Sequence, residues 1–318
     1  MLYPLRFQPI YKERIWGGTG LRDELGRRLP GKRIGESWEI ACREDSMSKA
    51  AEGPLRGKSL AELVRDYGPE LLGQKNHKRK FPLLLKILDA REVLSVQVHP
   101  GDEFAGKHEG CAGKTEAWYI LKARPRAKIV YGLRPGVTRE YFGAALKQGK
   151  LEGCLNEVEV KQGEVYSIPA GLVHALGDGI MAVELQQNSD LTYRVFDWNR
   201  VDKNGRSRPL QVEKALQVIE FGKSPPQVCQ PERGDDSFFL ENDCFSLYYH
   251  RVTGEKVMRC GPETFAVITA VAGNGEIRHR GKAYSLQYGD SFLLPAGLGE
   301  YNLYGEAAVL VGYAKTGG

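Results

Sequence analysis

No stretch of this chain stays apolar long enough to cross a bilayer, and the opening Met1-Leu2-Tyr3-Pro4-Leu5-Arg6 holds no apolar segment of the kind an export signal needs. A soluble cytoplasmic protein is the expectation. Paired cysteines are lacking as well. The six cysteines, at positions 42, 111, 154, 229, 244 and 260, form no CxxC pair and follow no regular spacing. They read as reduced thiols filling small buried volumes rather than as disulfides or a thiolate zinc site. Charge of one sign is scarce: the formal net charge is +5 over 318 residues. Such a balance suits an anionic ligand mildly and is too weak and dispersed for nucleic acid. The single basic cluster, Lys75-Asn76-His77-Lys78-Arg79-Lys80, reads as a solvated loop. Apolar material is not lacking. With 42% hydrophobic and 27% charged residues the chain is globular, with length for two domains and a buried core.

The informative centre is Ser95-Val96-Gln97-Val98-His99-Pro100, followed after a glycine- and charge-rich loop by Gly113-Lys114-Thr115-Glu116-Ala117-Trp118-Tyr119-Ile120-Leu121. Side chains alternate along a strand, so Ser95, Gln97 and His99 share one face, and Lys114, Glu116 and Trp118 share another. Polar rows set in an apolar strand pair are costly to bury unless something binds them, and a divalent metal is the simplest partner. A second stretch, Gly163-Glu164-Val165-Tyr166-Ser167-Ile168-Pro169-Ala170-Gly171-Leu172-Val173-His174, makes a turn that delivers His174 to the start of the next strand as a further candidate ligand. A lone histidine is more often a hydrogen-bonded structural residue, and the turn is what raises this one above that reading.

The remainder organises around these segments. Residues 1–58 read as short strands broken by turns, and Trp16 and Trp38 are as well explained by a packed sheet interior as by a pocket wall. Ser59-Leu60-Ala61-Glu62 is a capping box that starts a short helix, with Gly68-Pro69 expected to stop it. Lys86, set in the apolar run Phe81–Leu88, either snorkels outward or points into a site. Residues 138–151 read as a helical insertion and 209–219 as an amphipathic helix. Residues 223–236 have the proline and charge of a linker, which predicts a metal-binding domain over 1–222 and a second domain over 237–318. The second domain carries a repeat of the 163–174 stretch. Gly289-Asp290-Ser291-Phe292-Leu293-Leu294-Pro295-Ala296-Gly297-Leu298-Gly299-Glu300 keeps the Gly, Pro, Gly spacing and the tetrapeptide Pro-Ala-Gly-Leu. Glu300 replaces His174 there, and no Gln-x-His strand precedes it, so that domain is expected to bind no metal.

The Gly, Pro, Gly, His spacing with paired ligand strands upstream resembles a cupin, a β-barrel or jelly roll with metal-binding residues turned inward. More narrowly, residues 95–100 with 113–119 resemble the type I mannose-6-phosphate isomerases in their short bacterial form, and the likeness runs from Trp16-Gly17-Gly18 to the C-terminal half barrel. It implies a mainly β fold of two cupin-type barrels with a small helical insertion. One zinc ion per chain would be held by Gln97, His99, Glu116 and His174, beside an active-site Arg194, with Lys114, and also Lys86 and Ser95, at the substrate end. The long helical domain of the larger eukaryotic members is missing. A phosphorylated hexose is the implied partner, and a monomer or weak homo-oligomer the implied state, with neither nucleic acid nor membrane involved.

These residue types suit the reaction. Moving a proton between C1 and C2 of an aldose through an enediol builds negative charge on two adjacent oxygens, which the site must stabilise. Zinc held by two neutral imidazoles, an amide oxygen and one carboxylate retains a charge of about +1 and an open position. Arg194 offers a permanently charged fork for an oxyanion or the phosphate, and Lys114 a point charge. The base is left open among Glu184, Asp190, Lys114 and a water on the ion; support of the metal ligands and of Arg194 is the plainer role for Glu184 and Asp190. Two rival functions share parts of the pattern. A cupin non-haem iron dioxygenase uses two His and one Glu, but Gln97 would take a position oxygen needs, and the basic residues favour an anionic substrate. A non-catalytic sugar-binding or regulatory bicupin fits the lost second site and not the complete first one.

Overall fold

The computed structural model describes residues 2–76, 80–202, 204–230 and 236–315. The basic cluster and the expected linker therefore lie in part outside the described residues. The chain is mainly β and forms two compact units, Met1–Tyr11 with Ser37–Ile87 and Cys229–Gly318, and Lys12–Glu36 with Leu88–Val228. One cut, between Val228 and Cys229, falls within the 223–236 segment read as a linker, while Met1–Tyr11 and Ser37–Ile87 group with the C-terminal residues. The reason is long-range pairing: Leu5–Arg6 adds antiparallel to Ser291–Leu294, with Leu5 opposite Leu293, and Leu5 and Phe7 are buried. Local composition carries no record of such a pairing.

The unit that includes Cys229–Gly318 is built on a seven-stranded sheet in the order Leu5–Arg6, Ser291–Leu294, Ala266–His279, Gly299–Ala314, Phe245–Cys260, Ser237–Glu241, with Lys282–Leu286 paired to Ala266–His279. Its inner face is Val252, Ile268, Ala270, Phe292, Leu294, Val309 and Val311, an apolar interior. The helix Leu60–Leu72 packs in the same unit and starts on the expected capping box: the Ser59 hydroxyl accepts from the Glu62 N–H while the Glu62 carboxylate accepts from the Ser59 N–H. Gly68-Pro69 kinks this helix instead of ending it. Tyr67 leaves helical geometry at φ −130°, and a further turn runs to Leu72, because proline is well placed in a first helical turn and Leu71 and Leu72 are fully buried beyond it.

The other unit is a sandwich. One sheet has the order Leu155–Glu159, Lys128–Leu133, His174–Ala175, Val96–Val98, Tyr193–Phe196; the second begins Val165–Ile168, Glu116–Ala123, Ile180–Gln187. Each sheet has two ends, so these are open jelly-roll sheets and not closed barrels. Between them lies a core of Trp16, Trp118, Ile120, Tyr131, Tyr166, Ile168 and Leu176, so the packed-interior reading of Trp16 is the right one. The outer face of the first sheet, Val96, Val98, Val173, Ala175 and Val195, is covered by Phe142 and Ala145 of helix Arg139–Lys147 and by Ala215 of helix Val212–Val218. That covering keeps Val96 and Val98 outward and turns Gln97 inward.

The repeat is visible in the backbone. Gly171 at φ +84° and Gly297 at φ +68° occupy the same left-handed position, and the N–H of Leu172 donates to Pro169 O as that of Leu298 does to Pro295 O, each at 3.2 Å. The last residues diverge: His174 is fully buried, whereas Glu300 is exposed. Glu300→Ala is accordingly expected to leave metal content and turnover within about twofold of the parent, as surface changes away from a site do; loss of bound metal, read by elemental analysis, would contradict the assignment.

Candidate metal centre

Glu116 enters the sandwich interior from the second sheet, where it lies opposite Gln186 and Ile168. Gln97 and His174 face it from the first sheet, directly opposite one another, and His99 follows Gln97 on the same side just past the strand end. The ligating atoms of His99, Glu116 and His174 all lie within 4.8 Å of one another, and all three residues are buried. His174 Nε2 is 3.4 Å from Glu116 Oε1 and His99 Nε2 is 3.5 Å from Oε2.

The outer ring nitrogens are already used. His99 Nδ1 faces Leu191 O at 2.8 Å and His174 Nδ1 faces Leu172 O at 2.9 Å. A carbonyl only accepts, so both Nδ1 atoms carry the proton and both Nε2 lone pairs turn towards Glu116. Burial holds both rings neutral: with Lys114 adding to it, it pushes His99 down to about 3, and it lowers His174 as well. Burial would raise the Glu116 carboxyl, but the Lys114 ammonium beside it outweighs that and keeps it well below the usual range. Neither Glu116 oxygen accepts a well-directed hydrogen bond. A fully buried carboxylate with two inward imidazole lone pairs is a donor set that a divalent cation fits.

Gln97 stands beside this group. Its Nε2 donates to His174 Nε2 at 3.2 Å, so half a rotation would present Oε1 instead. Lys114 is set deep beside the same group. It is 3% exposed, and its ammonium lies 2.5 Å from Glu116 Oε2 and 3.1 Å from His99 Nε2.

Arg194 lies opposite Gln97 on the neighbouring strand. It donates from Nε to Ser95 Oγ and from Nη1 to Pro209 O, both at 3.1 Å. Burial lowers its pKa, with Arg208, Arg14 and Arg200 adding to the effect, so the guanidinium sits in a positive field suited to an anion. Gln97 and Arg194 are both partly exposed, whereas His99, Glu116 and His174 are buried. Glu184 accepts from Trp118 Nε1 at 2.9 Å, and the Trp118 ring meets His174 edge-on at 5.5 Å. Asp190 is exposed. Lys86 does not snorkel: it is 3% exposed, with its ammonium 5.1 Å from the Trp38 ring centroid. The carbonyls of Leu172 and Leu191 escape a sequence reading because every residue has a carbonyl.

A family model described as phosphomannose isomerase type I, catalytic domain, matches residues 4–121, and a mannose-6-phosphate isomerase cupin-domain model matches residues 235–314. Mannose-6-phosphate isomerase ManA of Bacillus subtilis is 40% identical over 98% of this chain and 98% of its own. Probable mannose-6-phosphate isomerase GmuF of the same organism is 36% identical over 98% of this chain and 100% of its own. The crystal structure of a Bacillus subtilis mannose 6-phosphate isomerase superposes with a TM-score of 0.90 at 35% identity, covering 98% of this chain and 99% of that one. With mainly β jelly-roll sheets, two inward imidazoles facing one carboxylate and full-length similarity of this order, the chain belongs to the type I phosphomannose isomerases.

Proposed function

We propose that this chain interconverts mannose 6-phosphate and fructose 6-phosphate through an enediol, using one zinc ion held by Gln97, His99, Glu116 and His174. The observation that carries the reading is the buried meeting of His99, Glu116 and His174 within 4.8 Å, in a chain of this family. Zinc bound there supplies Lewis acidity towards the sugar oxygens that gain negative charge. Arg194 binds the anionic part of the substrate, either the phosphate or the developing oxyanion, with Ser95 orienting its guanidinium through the 3.1 Å bond. Lys114 would bring its ammonium to a divalent ion's side of that carboxylate, where a positive charge suits an anionic group at the substrate end. Glu184 steadies Trp118 against His174, and among the remaining groups it is the buried carboxylate available to move a proton.

The test is a coupled assay of fructose 6-phosphate formation on purified protein, with and without chelator, alongside metal analysis. Turnover abolished by chelation and restored by zinc is the expected result. A zinc-loaded protein that fails to isomerise the sugar, or one restored by iron alone, would overturn the reading.

A further inference from the structure

The segment that delivers Lys114 and Glu116 is held at three successive backbone N–H groups. Gly113 donates to Asp102 Oδ1 at 2.7 Å, Lys114 to Pro100 O at 3.0 Å, and Thr115 to Gln187 Oε1 at 2.8 Å. The Gln187 amide closes the arrangement, since its Nε2 donates to both Asp102 oxygens at 3.1 Å. Gln187 thus uses both ends of its side chain, one on Thr115 and one on Asp102. Gly113 is pressed against the same place. A Cβ there would lie 2.5 Å from Asp102 N and from Gly101 C, so the 100–102 turn and the 113–115 segment are in backbone contact.

Position matters here because of what stands at each end. His99 precedes the 100–102 turn, while Lys114 and Glu116 flank Thr115. Their reactive atoms meet at 2.5 to 3.5 Å, distances at which a shift of about 1 Å costs on the order of a hundredfold in rate. Asp102 is exposed and Gln187 half-buried, so water could satisfy each of them separately, and ordering the long glutamine side chain carries an entropic cost. That cost is explained if the pair sets geometry.

We infer that Asp102 and Gln187 form a positioning clamp that fixes Lys114 and Glu116 relative to His99. The inference rests on the isomerase reading of this centre. Gln187→Met keeps the size of the side chain and removes its bonds to Thr115 and Asp102. On the full-length zinc-loaded protein it should lower kcat by about 10- to 100-fold, leave KM within about threefold, and speed zinc loss to a chelator by about tenfold. Gln187→Glu alone sets two carboxylates against each other and should also lose kcat. The double variant Asp102→Asn with Gln187→Glu restores an amide–carboxylate bond with the roles exchanged: the amide now at 102 donates to the carboxylate now at 187, and each still has an oxygen for its backbone N–H. It should return kcat and zinc retention to within about threefold of the parent.

A Gln187→Met protein with kcat and zinc release within about twofold of the parent, or a double variant no better than Gln187→Glu alone, would overturn the clamp. A parent protein that binds zinc and does not isomerise the sugar would sink the isomerase reading instead, and the zinc-release arm would still decide on the clamp.

Discussion

His174→Ala is expected to bring bound zinc below one per chain and to lower isomerase turnover by more than about 100-fold, since even residues behind a metal ligand cost roughly 10- to 100-fold when removed. The imidazole supplies one of two lone pairs directed at Glu116, with its Nδ1 committed to Leu172 O. The ring is fully buried against Trp118, and its removal also opens a cavity costing about 2–5 kcal/mol on the scale of large-to-small core changes. His174→Gln keeps the volume and a polar atom, and separates metal loss from unfolding. Elemental analysis after desalting, with a melting curve on each variant, reads both effects. Full zinc occupancy in a folded His174→Ala protein would remove the residue from the ligand set.

Arg194→Ala should leave zinc content unchanged and lower kcat/KM by about 100- to 1,000-fold, the range seen when one donor to a developing oxyanion is removed. Arg194 touches Ser95 and Pro209 O and none of the three clustered ligands, so its loss acts on the substrate and not on the metal. Arg194→Lys should recover only part of the rate, because an ammonium cannot reproduce the guanidinium fork. Steady-state kinetics on mannose 6-phosphate with zinc quantified in the same samples distinguishes this from a ligand defect; a kcat/KM within about threefold of the parent would strike Arg194 from the site.

Much of the centre was legible before any coordinates. Alternation in Ser95–His99 put Gln97 and His99 on one side, and the Pro169-Ala170-Gly171 turn pointed to His174, because strand period and turn chemistry are local properties. The helix Asp102–Glu109 was read as a loop. It buries only Ala105 and so lacks an apolar stripe, yet its signals were present: acids in the first turn, Lys107 and His108 in the last, and Gly110 in the left-handed conformation. Lys114 was placed at the substrate end by resemblance, and its contact with Glu116 at 2.5 Å was not foreseen.

By itself the sequence determined which residue types could bind a cation and on which side of their strands they stand, since both follow from chemistry and a two-residue repeat. Only the tertiary structure decided that Glu116 from one sheet meets His99 and His174 from the other, which nitrogens face inward, and that Leu5 pairs with Leu293. Those outcomes depend on the packing of two sheets and on backbone carbonyls, and neither leaves a trace in the order of side chains.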